Sequence, residues 1–392
     1  MIATKGYAAE DVGVVYMRAR ELCHQMGETP DLSEVLWGLW AFHILRAELG
    51  KARGIAEEFL RLSERLPYPG LAMRGHIAME ITFFHLGEVA RAGEHFEKAL
   101  SLYDPERHRD DAFFYSQNPG VVMRCHAAWA LWFLGQPDQA LKRIKEALTL
   151  ARELAEPHGL AHALFFAAVL YQLRREESMA QEHAESVISF SREHGLVMYQ
   201  AMATIVRAWA LLKQGRTEQA IEQMRQGLAA LQATGTERVR PHFLALLAEA
   251  LGKARQLDEA LNVLEEALGM VQRNGESYYL AELYRLKAEL LLSQPKSRAL
   301  SQTATGGKVV EEVESPVVTN AEACFNQSLK IARRQKAKSL ELRTVMNVAR
   351  LYQNQGRKKE ARGLLAQVFG GFAEGFDTMD LREAKALLDE LS

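Results

Sequence analysis

Only three cysteines occur in the 392 residues, Cys23, Cys125 and Cys324, far apart and without CxxC spacing. A disulfide frame is excluded, and a reducing, cytoplasmic location is expected. Proline is scarce at 10 residues, and the Val, Ile and Thr runs that build strands are few. Ala, Leu, Glu, Arg and Gln abound instead, so the chain is expected to be all-α. An excess of one charge is also missing: 48 basic and 50 acidic residues leave a formal net charge of -2. No whole-chain field draws it to nucleic acid or an anionic membrane, and neither is expected as a partner. No apolar run approaches the ~18 residues of a membrane span. The longest candidate, LAHALFFAAVLYQL at 160 to 173, is interrupted by His162 and Gln172, and nothing near Met1 reads as a signal peptide.

Catalytic motifs are absent as well. The sequence contains no HExxH, GxSxG, GxGxxG or CxxC. His108, Arg109 and Asp110 spell the kinase HRD, but Ala112, Phe113 and Phe114 follow without the metal-binding Asn. The GGK at 306 to 308 fails as a phosphate loop, because Gln302 stands where the first Gly belongs and Val309 replaces Ser or Thr. His158 and His162, with Glu156 nearby, offer two ligands on one helix face, too few for a metal centre. No enzyme activity, cofactor or metal is expected.

What the sequence does have is a repeat. FHLGEVARAGEHFEKALSL from Phe84, FLGQPDQALKRIKEALTLA from Phe133, LKQGRTEQAIEQMRQGLAAL from Leu212 and QNQGRKKEARGLLAQVF from Gln353 each place Ala five residues after Gly. Equivalent anchors fall at Ala47, Gly87, Gly135, Arg175, Gly215, Arg255, Pro295 and Gly356, and the spacing returns to 40 residues. Seven residues before the anchor a small side chain recurs (Ala128, Ala168, Ala208, Ala248, Ala288, Ala349). Five after it Ala recurs (Ala52, Ala92, Ala140, Ala180, Ala220, Ala260, Ala361). Two helices can approach closely at such sites, and an anchor glycine ends the first helix in a left-handed conformation. Arg175 and Arg255 show that the turn accepts other residues.

This grammar resembles the tetratricopeptide repeat, two antiparallel helices with small residues at their crossing. The ~40-residue unit is longer than that family's usual one, and is similar to the long-helix arrays in the sensors of bacterial signalling ATPases and transcription activators. Residues Ala337 to Leu391 resemble the C-terminal region of large bacterial proteins in which such an array follows a signalling ATPase, often behind an adenylate or guanylate cyclase domain. No cyclase or ATPase segment is present here. The resemblance implies a right-handed α-solenoid of helix pairs and a non-catalytic scaffold for a protein or peptide, regulating an attached signalling module. The alternative is a small-molecule sensor with a pocket among the aromatic groove residues.

The expected organisation is an orphan second helix in 1–31, implying a larger parent chain upstream. Repeats one to six and the first helix of repeat seven fill 32–294. A Ser/Thr/Gly-rich flexible insertion occupies 295–316, the rest of repeat seven and repeat eight occupy 317–377, and a closing helix occupies 378–392, capped by Asp380 and Glu383. The unpaired first helix leaves the ends of the array available for self-association.

The family pattern places groove residues thirteen, ten, six and three positions before each anchor. They are Trp37, Phe84, Cys125, Trp129, Trp132, His162, Phe165, Gln172, Trp209, His242, Glu249, Glu282, Arg285, Glu289, Arg343 and Arg350. Aromatic anchors followed by alternating acids and arginines suit an extended peptide or partner helix. The same tryptophans also suit core packing between long helices. One interval is 48 residues long because of the loop YDPERHRDDAFFYSQNPG, 103 to 120, in which Asn118 and Pro119 start the next helix. Arg107, His108, Tyr115 and Gln117 are expected to rim the groove.

Overall fold

The computed structural model describes residues 7–26, 31–66, 70–109, 111, 117–294 and 316–392. These form eighteen helices, with no strand among the described residues. A single helix α1 (Glu10–Met26) precedes eight hairpins: α2 (Asp31–Leu45) with α3 (Leu49–Arg65), α4 (Leu71–His85) with α5 (Val89–Leu102), α6 (Pro119–Phe133) with α7 (Pro137–Leu154), and α8 (Pro157–Leu173) with α9 (Glu177–His194). Then come α10 (Val197–Lys213) with α11 (Thr217–Ala233), α12 (Arg240–Lys253) with α13 (Leu257–Asn274), α14 (Leu280–Ser293) with α15 (Pro316–Gln335), α16 (Lys338–Asn354) with α17 (Lys358–Phe369), and the closing helix α18 (Met379–Glu390). The insertion expected at 295–316, and with it the anchor Pro295, falls outside the described residues except for the helical start at Pro316.

The hairpin turns work as the spacing predicts. At Gly87 and Gly135 the chain is left-handed, φ 76° and 84°. The next residue's N–H then reaches back to the first helix, Glu88 to the Phe83 carbonyl and Gln136 to the Leu131 carbonyl, at 2.8 and 2.9 Å. Arg175 and Arg255 hold the same conformation at φ 62° and 61°. Asn118 caps α6, its side chain accepting from the Gly120 N–H at 2.9 Å, with Pro119 in the first turn.

The eight first helices wind into a superhelix that closes on itself every five repeats. The Leu45 carbonyl at the end of α2 accepts the N–H groups of Glu237 and Arg238 just before α12, at 2.9 and 3.0 Å. One repeat on, the His85 carbonyl accepts the Ser277 N–H at 2.8 Å, before α14. One further, the Ser339 hydroxyl of α16 donates to the Trp132 carbonyl. The fourth contact falls on α18, where Arg175 pairs with Asp380 and Glu383 at 3.1 and 2.9 Å. The closing helix therefore occupies the place of a ninth first helix. Asp380 and Glu383 do not cap it: Thr378 is its N-cap residue, and the two acids answer arginines of the preceding coil. This closure also explains two anchor glycines, since a Cβ on Gly87 would lie 2.8 Å from the Ser277 hydroxyl and one on Gly135 2.9 Å from Lys338.

The chain's first helix packs on α2 through glycines, Gly13 under the Phe42 ring and Gly38 under the Tyr16 ring. Its other side exposes Val14, Val15, Met17 and Leu22.

Repeat two breaks the small-residue rule. Where six repeats have alanine, it has Glu80, which is 1% exposed and whose two carboxylate oxygens have no hydrogen-bond partner among the described residues. It lines a partly open space of about 80 Å³ with Phe96, Glu97, Ala127, Leu131 and Arg143. Burial pushes its carboxyl well above the usual carboxylate range. An acid whose folded-state value is raised contributes full stability at low pH and loses it as pH rises through the unfolded value of about 4.3. Glu80→Met, which fills the same space without oxygens, is expected to raise stability at pH 7 by about 1–3 kcal/mol, with the gain shrinking towards pH 4. Urea midpoints at the two pH values measure this, and a less stable variant at pH 7 contradicts it.

Candidate functional site

The predicted groove residues share one inner face, part packed shut and part open to a cavity. Twelve of the sixteen are buried: Trp37, Phe84, Cys125, Trp129, Trp132, His162, Phe165, Gln172, Trp209, His242, Glu282 and Arg343. Aromatic rings from successive repeats pack together on this face. Trp129 stacks on Phe166 at 4.1 Å, and its Nε1–H donates to the Phe166 carbonyl at 3.1 Å. Phe84 packs against Tyr278 of the next coil at 5.0 Å. His242 stacks on Tyr279 at 4.0 Å and bridges Gln172 and the Tyr278 hydroxyl.

Part of the same face, four of the buried twelve included, opens into a cavity of about 190 Å³. Eight predicted residues line it, Gln172, Trp209, Glu249, Glu282, Arg285, Glu289, Arg343 and Arg350, contributed by five of the first helices. Its charges are balanced, five cations (Arg175, Lys213, Arg285, Arg343, Arg350) against five acids (Glu249, Glu282, Glu289, Asp380, Glu383). The floor is a buried triad. Arg285 donates two bonds to Glu282, at 2.7 and 2.9 Å, while Arg343 stands 3.8 Å from the same carboxylate. Arg343 is itself fixed by Asp380 at 2.8 Å, by the Leu173 carbonyl, and over the Trp132 ring at 4.9 Å. Burial alone would push the Glu282 carboxyl up, but Arg285 and Arg343 together outweigh it and hold the group at about 2.

The mouth is more open. The Arg350 side chain is 47% exposed, Glu289 39%, and Arg175 and Glu383 33% each. Positive and negative groups thus alternate at the entrance while the floor is locked. Among the described residues the lining has no Ser, Thr, Cys or His. The cavity can bind and orient polar ligands through its paired charges.

Sequence reasoning missed Arg175, Lys213, Asp380 and Glu383. Arg175 carried a signal, an arginine at an anchor where glycine is the easy residue. Asp380 and Glu383 carried none, because their shared partner Arg175 lies about half the chain away. The long loop contributes little to the cavity. Arg107 is exposed, His108 is buried against Tyr103, and neither lines it. Gln117 does turn inward and donates to the Tyr199 hydroxyl at 2.8 Å. Tyr115 and Asp110 lie outside the described residues. Glu156, considered with the histidines, caps α8 by accepting from the His158 and Gly159 N–H groups.

The fold and the inner cavity define a tetratricopeptide-type α-solenoid. The whole chain is similar to a Rap protein solved in complex with competence and sporulation factor, with a TM-score of 0.63, 12% identity, and coverage of 100% of this chain and 96% of that one. It is also similar to the Cut9–Hcn1 hetero-tetramer of the APC/C, TM-score 0.52 and 12% identity over 96% of this chain and 58% of that one. Aspartyl phosphate phosphatase F of Bacillus subtilis gives a TM-score of 0.50 and 13% identity over 95% and 94%. At such identities the likeness is one of fold. In sequence, an uncharacterized protein of Rhizobium meliloti (strain 1021) is 22% identical over 293 residues, 74% of this chain. The match spans only 28% of that relative's length. No family model matches the chain.

Proposed function

We propose that the chain is a non-catalytic scaffold that binds a peptide or protein segment at the charged cavity, as the cytoplasmic sensor or regulatory part of a bacterial signalling protein. The observation that carries this reading is the mouth of the cavity, where exposed arginines and acids of alternating sign meet on the inner face of a peptide-binding type of array. A peptide offers both signs through its termini and side chains, and charge-assisted bonds to arginine and carboxylate give orientation as well as affinity. The Rap structure, captured with competence and sporulation factor, supports the same use of this fold. A far longer relative is consistent with a regulatory segment attached to other domains.

The test is selection of peptides from a random display library on the purified chain, followed by affinity measurement. Arg350→Glu, an exposed change that leaves the triad intact, is expected to weaken a selected peptide about tenfold, the loss of one charge-assisted bond at 1.4 kcal/mol per decade. Failure to select any peptide, or equal affinity for the variant, overturns the proposal.

A further inference from the structure

A second concentration of polar side chains lies between the coils, none of it on the lining of the charged cavity. The first coil contributes His85 of α4, His126 of α6 and His162 of α8. The second contributes Arg238, Glu276 and Tyr278 from the segments leading into α12 and α14. The three imidazoles and Glu276 are only 1% to 4% exposed.

Hydrogen bonds fix which atoms are left over. His126 donates from Nδ1 to the Val122 carbonyl at 3.0 Å, so its Nε2 is a bare acceptor. His85 donates from Nδ1 to Glu276 Oε1 at 2.9 Å, and that oxygen also accepts the Val239 N–H. The His85 Nε2 and Glu276 Oε2 remain. Tyr199 accepts from Gln117 and gives its own proton to His162 Nδ1 at 3.1 Å, leaving the His162 Nε2–H as a donor. None of these four atoms has a hydrogen-bond partner among the described residues.

Arg238 stands among them. Its backbone N–H is held by the Leu45 carbonyl, but its guanidinium makes no ion pair or hydrogen bond to the described residues, and its Nε is sealed from solvent. The residue as a whole keeps partial exposure. Burial first, then neighbouring charge that includes Arg238 in each case, pushes His85, His126 and His162 well below the ordinary imidazole value. The imidazoles are therefore neutral at pH 7, and Arg238 has no direct ion pair, its acidic neighbour Glu276 being pushed up to about 7 by burial. An unpaired cation, one orphan donor and three orphan acceptors in one place destabilise a fold, since each orphan costs about 1–3 kcal/mol.

We propose that this cluster is a second ligand site, which takes a small oxyanion that also carries O–H groups, gripped by Arg238 and His162 between the two coils. The oxyanion answers the guanidinium and the His162 Nε2–H. Each O–H group that it carries answers one of the acceptors at His85, His126 and Glu276. A phosphate or a hydroxy acid has this combination; sulfate, fully ionised, has the charge without the O–H donors.

Thermal unfolding and calorimetric titration at pH 7 test this with inorganic phosphate, malate and sulfate as the probes. Phosphate or malate is expected to raise the Tm by several degrees through mass action, and sulfate at equal ionic strength is expected to do markedly less. Whichever of the two stabilises the chain identifies the ligand as phosphate-like or hydroxy-acid-like. Arg238→Met is expected to abolish the response, and His162→Gln, a milder change, to weaken it at least tenfold. Arg350→Glu, in the other cavity, is expected to leave it unchanged, which separates this site from the peptide reading. No stabilisation by phosphate or malate means that the cluster is merely hydrated, and overturns the proposal. So do equal effects of sulfate, or an undiminished response in folded Arg238→Met or His162→Gln.

Discussion

Trp129→Ala is expected to destabilise the array by about 3–5 kcal/mol, the usual loss for truncating a large aromatic in a packed core. The ring is 1% exposed, stacked on Phe166, and within 6.2 Å of Phe84 and 6.1 Å of Phe165. Removing it also leaves the Phe166 carbonyl without the indole donor. The loss is expected to appear as an earlier midpoint of one cooperative transition in urea. A repeat array that touches only its neighbours can melt from its ends. Here contacts such as Leu45 to Arg238 and His85 to Ser277 tie repeats five apart, so the coil opens as a unit. A loss below about 1 kcal/mol contradicts this packing.

Glu282→Gln is expected to cost about 1.5–3 kcal/mol, the loss of charge-assisted bonds at a buried carboxylate, with Arg285 keeping Glu289 at 2.7 Å and Arg343 keeping Asp380 at 2.8 Å. The sign of its pH dependence follows from the carboxyl being held at about 2. A depressed acid contributes its stability above the unfolded value and loses it as pH falls from about 4.3 towards 2. Wild-type stability should therefore drop over that window, and the variant should have a shallower acid limb. Urea midpoints between about pH 2.5 and 7 measure both effects. Parallel limbs for the two proteins contradict the triad as the source.

The hairpin repeat was legible because its signals are local. Gly87 and Gly135 end helices, alanines mark crossings, and Asn118 with Pro119 opens α6. Each requirement is met within a few residues of chain. The superhelical closure was not legible, because a period of five repeats depends on small rotations summed over many interfaces. That closure decides what the inner face becomes. It turns Trp129 and Phe84 into filling between coils and leaves Glu282, Arg285 and Arg350 around an opening. It also accounts for the misreading of Asp380 and Glu383. Two acids at a helix start look like a cap, yet their partners Arg343 and Arg175 come from elsewhere in the superhelix. Arg175 was visible as an exception at an anchor, and its purpose appears only where the coils meet.

Hydrogen exchange on the chain bound to a peptide selected from the library tests the central claim most directly. Peptide in the charged cavity predicts new protection in α14 and α16, which carry Glu282, Arg285, Glu289, Arg343 and Arg350, and loss of that protection in Arg350→Glu. Protection confined to second helices such as α9 and α11, with α14 and α16 exchanging as before, would contradict it.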